Sequence, residues 1–87
     1  MSCDFEALYY TLKEELINLF KDSQKPIPRI KIQDLKSSKI CGLADLAKML
    51  LYFESIGIIH IINKDEHFHS WEFEILAHIV DMILDNY

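Results

Sequence analysis

The apolar residues between positions 29 and 62 change their spacing from two to about three and a half and back to two. Ile30 and Ile32 alternate around Lys31, which is typical of a strand, and Leu35 begins a short helical turn. The next apolar residues share one face of a helix: Leu43, Leu46, Ala47, Leu50 and Phe53. The spacing therefore predicts a strand, two helices and a second strand.

Gly57 follows the last residue of this helical pattern. A glycine there can adopt the left-handed cap conformation without a clash of its Cβ. Ile58, Ile59, Ile61 and Ile62 come next, and β-branched residues favour extended chain. We therefore expect the helix to end at Gly57 and a strand to follow.

This order of segments resembles a winged helix-turn-helix domain, in which a helix, a short strand, two helices, a strand, a wing and a strand follow one another. The phrase LLYFESIGII is similar to the end of a recognition helix followed by the first wing strand. The resemblance covers most of the chain and implies a single α+β, mostly helical domain over residues 1–87. The implied elements are helices at 4–21, about 33–38 and about 43–56, strands at 29–32 and 58–62, a turn at 63–66 and a strand stub at 67–69.

The resemblance also allows a C-terminal helix, as in many small dimeric regulators. Ser70 could cap its first turn, where Glu72 and Glu74 would favour the positive end of the helix dipole. The apolar face of this helix would consist of Phe73, Leu76, Ala77, Val80, Ile83 and Leu84.

Apolar residues make up 51% of these 87 residues, which is more than one small core can bury. We therefore expect a homodimer through the first and last helices. The residues in excess are Leu8, Leu12, Leu16 and Leu19, together with Phe73, Leu76, Val80, Ile83 and Leu84.

The sequence predicts a cytoplasmic protein without a membrane span. No apolar run reaches the roughly 18 residues that a span requires, and the segment MSCDFE does not resemble a signal peptide. Cys3 and Cys41 are isolated and lack CxxC spacing, so we expect free or buried thiols rather than a disulfide.

Charge is distributed unevenly along the chain. The formal net charge is −5, which by itself argues against nucleic acid. Residues 21–48, however, hold seven basic and three acidic side chains, whereas the remainder holds two basic and eleven acidic ones. This basic segment coincides with the part of a winged helix that faces phosphates. Simple solvation of a loop and a turn is the alternative explanation.

The favoured function is binding of double-stranded DNA, as a small dimeric transcriptional regulator. The third helix is nevertheless a poor reader of bases, because Lys48 is the only residue on its outer side of the types that usually read base edges. The alternative is a winged helix that docks a protein and does not bind DNA, as a subunit or adaptor in transcription, replication or membrane-remodelling machinery. The candidate nucleic-acid contacts are Arg29, Lys31, Lys36, Ser37, Ser38, Lys39, Lys48 and Tyr52.

The sequence carries no motif that indicates catalysis. It has no glycine-rich phosphate loop, HExxH or nucleophile elbow, so we expect neither an enzyme nor a bound cofactor. His60, His67 and His69 could together bind a divalent metal, as in metal-sensing winged-helix repressors. Wing histidines more often face solvent, and we predict no metal site.

Overall fold

The structure, a computed structural model, describes residues 3–84. It contains three α-helices and a three-stranded antiparallel sheet, which confirms the predicted α+β class. The elements are α1 (Phe5–Asp22), β1 (Arg29–Lys31), α2 (Leu43–Ser55), β2 (Ile59–Ile61), β3 (Glu72–Ile75) and α3 (Ile79–Leu84), with 3-10 turns at Ile32–Asp34, Lys36–Lys39 and Phe68–Ser70.

Helix α1 forms within one residue of its predicted bounds. The carboxylate of Asp4 caps it by accepting the backbone N–H groups of Glu6 at 3.0 Å and Ala7 at 3.2 Å. It is the longest helix, yet neither it nor any other helix within residues 3–84 is long and apolar enough to cross a membrane.

The sheet has the order β1-β3-β2, so the last strand in sequence lies in the middle. Phe73 of β3 pairs with Ile30 of β1 on one side and with Ile61 of β2 on the other. These three side chains share the inner face, where Phe73 and Ile61 are buried and Ile30 is half-buried. The outer face consists mainly of charged residues.

The predicted long C-terminal helix is wrong in its first half. Trp71, Phe73 and Ile75 are buried and alternate with Glu72 and Glu74, which is the period of a strand. Pairing with two neighbouring strands stabilises this extended segment, and the helix begins only at Ile79. Ser70 ends a 3-10 turn and does not cap a helix.

The second predicted helix, at 33–38, is replaced by two 3-10 turns. Leu35 lies between them with an extended backbone (ψ 129°) and is buried. The extended backbone at Leu35 interrupts the helical turns, and both Ile32 and Leu35 are buried in the core. The turns close through i to i+3 bonds from Leu35 to Ile32 and from Ser38 to Leu35, each 3.2 Å.

The segment predicted to form a wing is an irregular loop at residues 62–71, and the strand stub predicted at 67–69 is instead part of a 3-10 turn. Asn63 organises the loop by accepting the N–H of Glu72 at 2.8 Å and donating to the carbonyl of Ser70 at 2.8 Å. Its amide also contacts Glu66, whose carbonyl accepts the Trp71 indole N–H at 2.9 Å. These hydrogen bonds hold the loop together without the strand that was predicted at 67–69.

Gly57 ends α2 as predicted, with a φ of +81°. The N–H of Ile58 donates to the backbone carbonyl of Phe53 at 3.1 Å, and the N–H of Gly57 donates to the backbone carbonyl of Glu54 at 3.0 Å. This is the bond pattern of a Schellman cap.

Replacing Gly57 with Val should lower the free energy of unfolding by about 1–2 kcal/mol, because side chains other than glycine resist this φ. An added Cβ meets no atom within 4 Å, so the cost is conformational rather than a clash. Gly57→Ala should therefore be nearly as costly in urea denaturation. Parent-like stability of both variants would contradict the cap.

Part of the residue set expected at a dimer interface lies in the protomer's own core. Leu8, Leu12 and Leu16 are fully buried in the core cluster that also contains Phe73. Helix α1 packs against α2 and the 3-10 turn at Lys36–Lys39. Val80 and Leu84 of the same predicted set are exposed, so the homodimer stays a prediction.

Cys3 and Cys41 form a disulfide, which corrects the expectation of free thiols. Their Cα atoms are 5.5 Å apart across 38 residues of sequence, so the bond joins the start of α1 to the segment before α2. Only the packing of α1 against this segment brings the two residues together. Disulfides are typical of oxidising compartments and of intracellular proteins of hyperthermophiles, so a cytoplasmic location stays a prediction.

Candidate docking surface

An apolar cleft lies between α1 and α2. Phe5 and Tyr9, four residues apart, line it from α1, and Lys48, Met49 and Tyr52 line it from α2. The cleft has a volume of about 320 Å³. These five residues are called the aromatic cleft below.

Ring packing holds the aromatic cleft in place. The half-buried ring of Tyr9 stacks on the buried ring of Phe53, with centroids 5.5 Å apart and planes 5° apart. Tyr52 meets Tyr9 edge-on at 6.1 Å, and Tyr10 does so at 5.2 Å. Aromatic side chains fixed in this way are common anchors at protein interfaces because they lose little conformational entropy on binding.

Within residues 3–84, Lys48 is the only charged residue that lines the aromatic cleft. The ammonium of Lys13 lies 5.9 Å from the centre of the Tyr9 ring. Burial, followed by the neighbouring Tyr52 and Tyr10, raises the pKa of the Tyr9 hydroxyl above its ordinary value. Tyr9 therefore stays neutral at physiological pH and adds no negative charge.

Ser37, a candidate nucleic-acid contact, is buried and therefore unable to reach a ligand. Its hydroxyl donates to the carboxylate of Glu15 on α1 at 2.6 Å, and its N–H donates to the same oxygen at 3.0 Å. The second carboxylate oxygen accepts the N–H of Lys36 at 2.6 Å. Glu15 thus caps the 3-10 turn that the sequence assigned to phosphate binding.

The neighbouring candidates also have other partners. The hydroxyl of Ser38 donates to the carbonyl of Leu35 at 2.8 Å. The Lys36 side chain is exposed but borders a depression that Glu14, Glu15 and Asp22 of α1 also line. An anion near Lys36 would therefore meet acidic side chains.

Arg29 and Lys31 lie on the outer face of the sheet, directly across from acidic residues of β3. Arg29 pairs with Glu74 and Lys31 pairs with Glu72. Opposite charges at directly paired positions attract and partly cancel each other's field.

Lys39, Lys48 and Tyr52 are exposed as predicted. Of all the candidates, the structure brings together only Lys48 and Tyr52 in one site, the aromatic cleft. The segment that is basic in sequence is thus partly neutralised in space, because acidic residues of α1 and β3 pack beside it.

Two of the three histidines considered for metal binding are close together, with the rings of His67 and His69 4.5 Å apart. Within residues 3–84, no cluster of three or more His, Cys, Asp or Glu side chains has the geometry to hold a metal ion. His60 lies on β2, near Glu54.

Glu54 joins α2 to β2. Its carboxylate accepts the N–H of Ile61 at 2.8 Å, contacts Lys64, and lies 3.9 Å from the Nδ1 atom of His60. Partial burial opposes ionisation, but the ammonium of Lys64, the Ile61 N–H and His60 together hold the pKa of Glu54 below its ordinary 4.5.

Because this pKa is lowered on folding, Glu54 stabilises the protein fully above about pH 4.5 and progressively less as the pH falls through its folded-state value. Glu54→Gln should cost on the order of 1 kcal/mol at neutral pH, and the difference should shrink at acid pH. Urea denaturation of both proteins between neutral pH and pH 3 would measure this. A difference that does not depend on pH would contradict an ionic role.

Sequence reasoning missed the α1 side of the aromatic cleft. Phe5 and Tyr9 stand at i and i+4, a spacing that places two aromatic side chains on one helix face. Phe5 is 44% exposed, although it is large and apolar. The i, i+4 spacing could be read from the sequence, but the contact of Tyr9 with Tyr52 could not.

Comparisons with family models, curated proteins and solved structures found no match to this chain.

Proposed function

We propose that this chain is a winged-helix module that binds another protein through the aromatic cleft. The exposed side of α2 carries the proposal, because it presents Tyr52 at 49% exposure beside Met49 in an apolar cleft. A DNA-reading helix instead presents Arg, Lys, Asn or Gln, and Lys48 is the only such residue in α2.

The order of elements supports the winged-helix part of the proposal. A helix, a strand, short turns, a helix, a strand, a loop and a strand follow one another, and α2 occupies the place of the recognition helix. In this scheme β3 at Glu72–Ile75 serves as the second wing strand.

The chemistry of the cleft selects its partner. An apolar floor bordered by the cation of Lys48 complements a segment that has an apolar or aromatic anchor beside a carboxylate. The bound anchor would cover Tyr52 and Phe5, which are otherwise exposed to water.

Selection from a displayed library of short random peptides tests this proposal. The wild-type protein should enrich peptides with an apolar anchor next to Asp or Glu. Tyr52→Ala and Lys48→Glu should each weaken the binding of an enriched peptide by about tenfold or more, as for interface anchors. Val80→Ala is a matched control, since Val80 is 40% exposed on α3.

Circular dichroism should show that the variants keep their fold. Enrichment of basic peptides, or an equal loss with Val80→Ala, would contradict the proposal.

DNA binding is the second candidate, and the exposure of Lys36, Lys39 and Lys48 before and on α2 favours it. If this region binds duplex, replacing the three lysines with Ala should lower the salt slope by up to about three, roughly one per phosphate contact. Lys13→Ala is the control and should change little. Absence of binding to random duplex at low salt would favour protein docking, whereas a steep loss of affinity with salt would favour DNA.

Dimerisation through the first and last helices also stays a proposal. Val80 and Leu84, which belong to the predicted set, are exposed on α3, and Tyr10 is exposed on α1, whereas Leu8, Leu12 and Leu16 are buried. Light scattering at about twice 10.3 kDa, reduced to the monomer mass by Leu84→Glu, would support it. A dimer lost only on Tyr52→Ala would instead place the second copy in the aromatic cleft and overturn the docking proposal.

A further inference from the structure

Strand β1 lies at an edge of the sheet and bonds to a neighbour on one side only. The N–H of Ile75 donates to the carbonyl of Pro28 at 2.9 Å, and the N–H of Ile32 donates to the carbonyl of Trp71 at 3.0 Å. Because backbone bonds alternate along a strand, Pro28, Ile30 and Ile32 face β3, and the N–H groups of Arg29 and Lys31 face away from it. Neither N–H group has a hydrogen-bond partner within residues 3–84.

At the opposite edge of the sheet, one of the two outward N–H groups of β2 is bound by a side chain. There the outward N–H of Ile61 is bound by the carboxylate of Glu54 at 2.8 Å. At β1 no side chain of the described residues takes this role. An edge with free amides is a template for an additional strand.

The side chains of β1 determine which strand fits. Arg29 and Lys31 are exposed on the outer face, and Ile30 on the inner face is only half-buried. Within the β1–β3 pair, Glu74 and Glu72 lie opposite these cations. A further strand on the other side of β1 that continued this alternation of charge would therefore carry acidic residues.

We propose that β1 binds an extended acidic segment of a partner protein as a fourth strand. Two carboxylates, two residues apart, lie opposite Arg29 and Lys31. The residue between them is apolar and completes the burial of Ile30. Backbone bonds to the two free N–H groups fix the register, as in other cases of strand addition.

A second copy of this chain does not fit the same edge. Pairing β1 with β1 of another copy places Arg29 or Lys31 opposite Arg29 or Lys31, and like charges directly opposite each other are destabilising. This edge therefore disfavours pairing with a second copy and favours a strand that carries acidic residues.

A labelled synthetic peptide with the repeat Glu-Val-Glu-Val-Glu is the probe, and Lys-Val-Lys-Val-Lys is its control. Fluorescence anisotropy should show binding of the acidic peptide only. Joint replacement of Arg29 and Lys31 with Ala should weaken it about tenfold, as expected for two exposed ion pairs, while Lys21→Ala should not. In NMR spectra, the Arg29 and Lys31 amide protons should become protected from exchange when the acidic peptide is added.

A second probe separates strand addition from simple charge attraction. An acidic peptide whose glutamate backbone nitrogens are methylated has the same charge but lacks the N–H donors that face β1 in an antiparallel pair, so it should bind at least about tenfold more weakly. Equal binding of the two acidic peptides, no protection of the two amides, or no binding at all would overturn the proposal.

This inference is independent of the proposed function, since Tyr52→Ala should leave binding of the acidic peptide unchanged. Loss of binding in that variant would place the peptide in the aromatic cleft and overturn strand addition.

Discussion

Replacing Phe53 with Ala should lower the free energy of unfolding by about 3–5 kcal/mol, the largest effect expected for a single side chain in this protein. Phe53 is fully buried and stacks on Tyr9, so its loss would leave a cavity beneath the aromatic cleft. A domain of this size has little stability in reserve. We expect the melting temperature to fall by at least about 12 °C.

Leu51→Ala is the matched control for this experiment. Leu51 lies two positions earlier on α2 but is 40% exposed, so its truncation should cost less than about 1 kcal/mol. Similar melting temperatures for the two variants would mean that Phe53 is not a core residue, and the packing of α1 on α2 would then be wrong.

Removal of the Cys3–Cys41 disulfide should cost about 2–5 kcal/mol. The bond closes a long loop that contains α1 and β1, so its loss returns conformational freedom mainly to the unfolded chain. Cys3→Ser is the variant to use, because Cys41 is buried and Cys3 is only half-buried. Urea denaturation with and without a thiol reductant measures the cost.

A reductant should destabilise the wild-type protein and leave Cys3→Ser unchanged. Two titratable thiols in the native, unreduced protein would contradict the disulfide. So would an unfolding midpoint that does not respond to the reductant.

The sequence predicted α1, α2 and the cap at Gly57 most accurately. The bounds of α1 and α2 were within one residue, and Gly57 was correctly identified as the stop after α2. Helical periodicity and caps depend on residues within a few positions of one another, so the information needed was local.

The segment at 70–76 shows where local information failed. Its serine and two glutamates fit a helix start, yet Trp71, Phe73 and Ile75 also alternate with Glu72 and Glu74. Pairing with β1 and β2 decided in favour of the strand. Both partner strands lie outside the segment, so the residue pattern within it does not include the stabilisation that they provide.

The candidate site shows the same difference between local and long-range information. Composition correctly showed which residues are basic, but exposure and neighbouring charge depended on contacts across the fold. Glu15 reaches Ser37 from α1, and Glu74 lies across from Arg29. A one-dimensional charge count cannot include such neighbours.

The sequence by itself determined α1, α2 and the stop at Gly57, because periodicity, capping and backbone preference act between near neighbours. Only the tertiary structure decided the central strand β3, the pairing of Cys3 with Cys41 and the meeting of Tyr9 with Tyr52. Each of these joins residues that lie far apart along the chain, and their contact energies arise only once the whole core has packed.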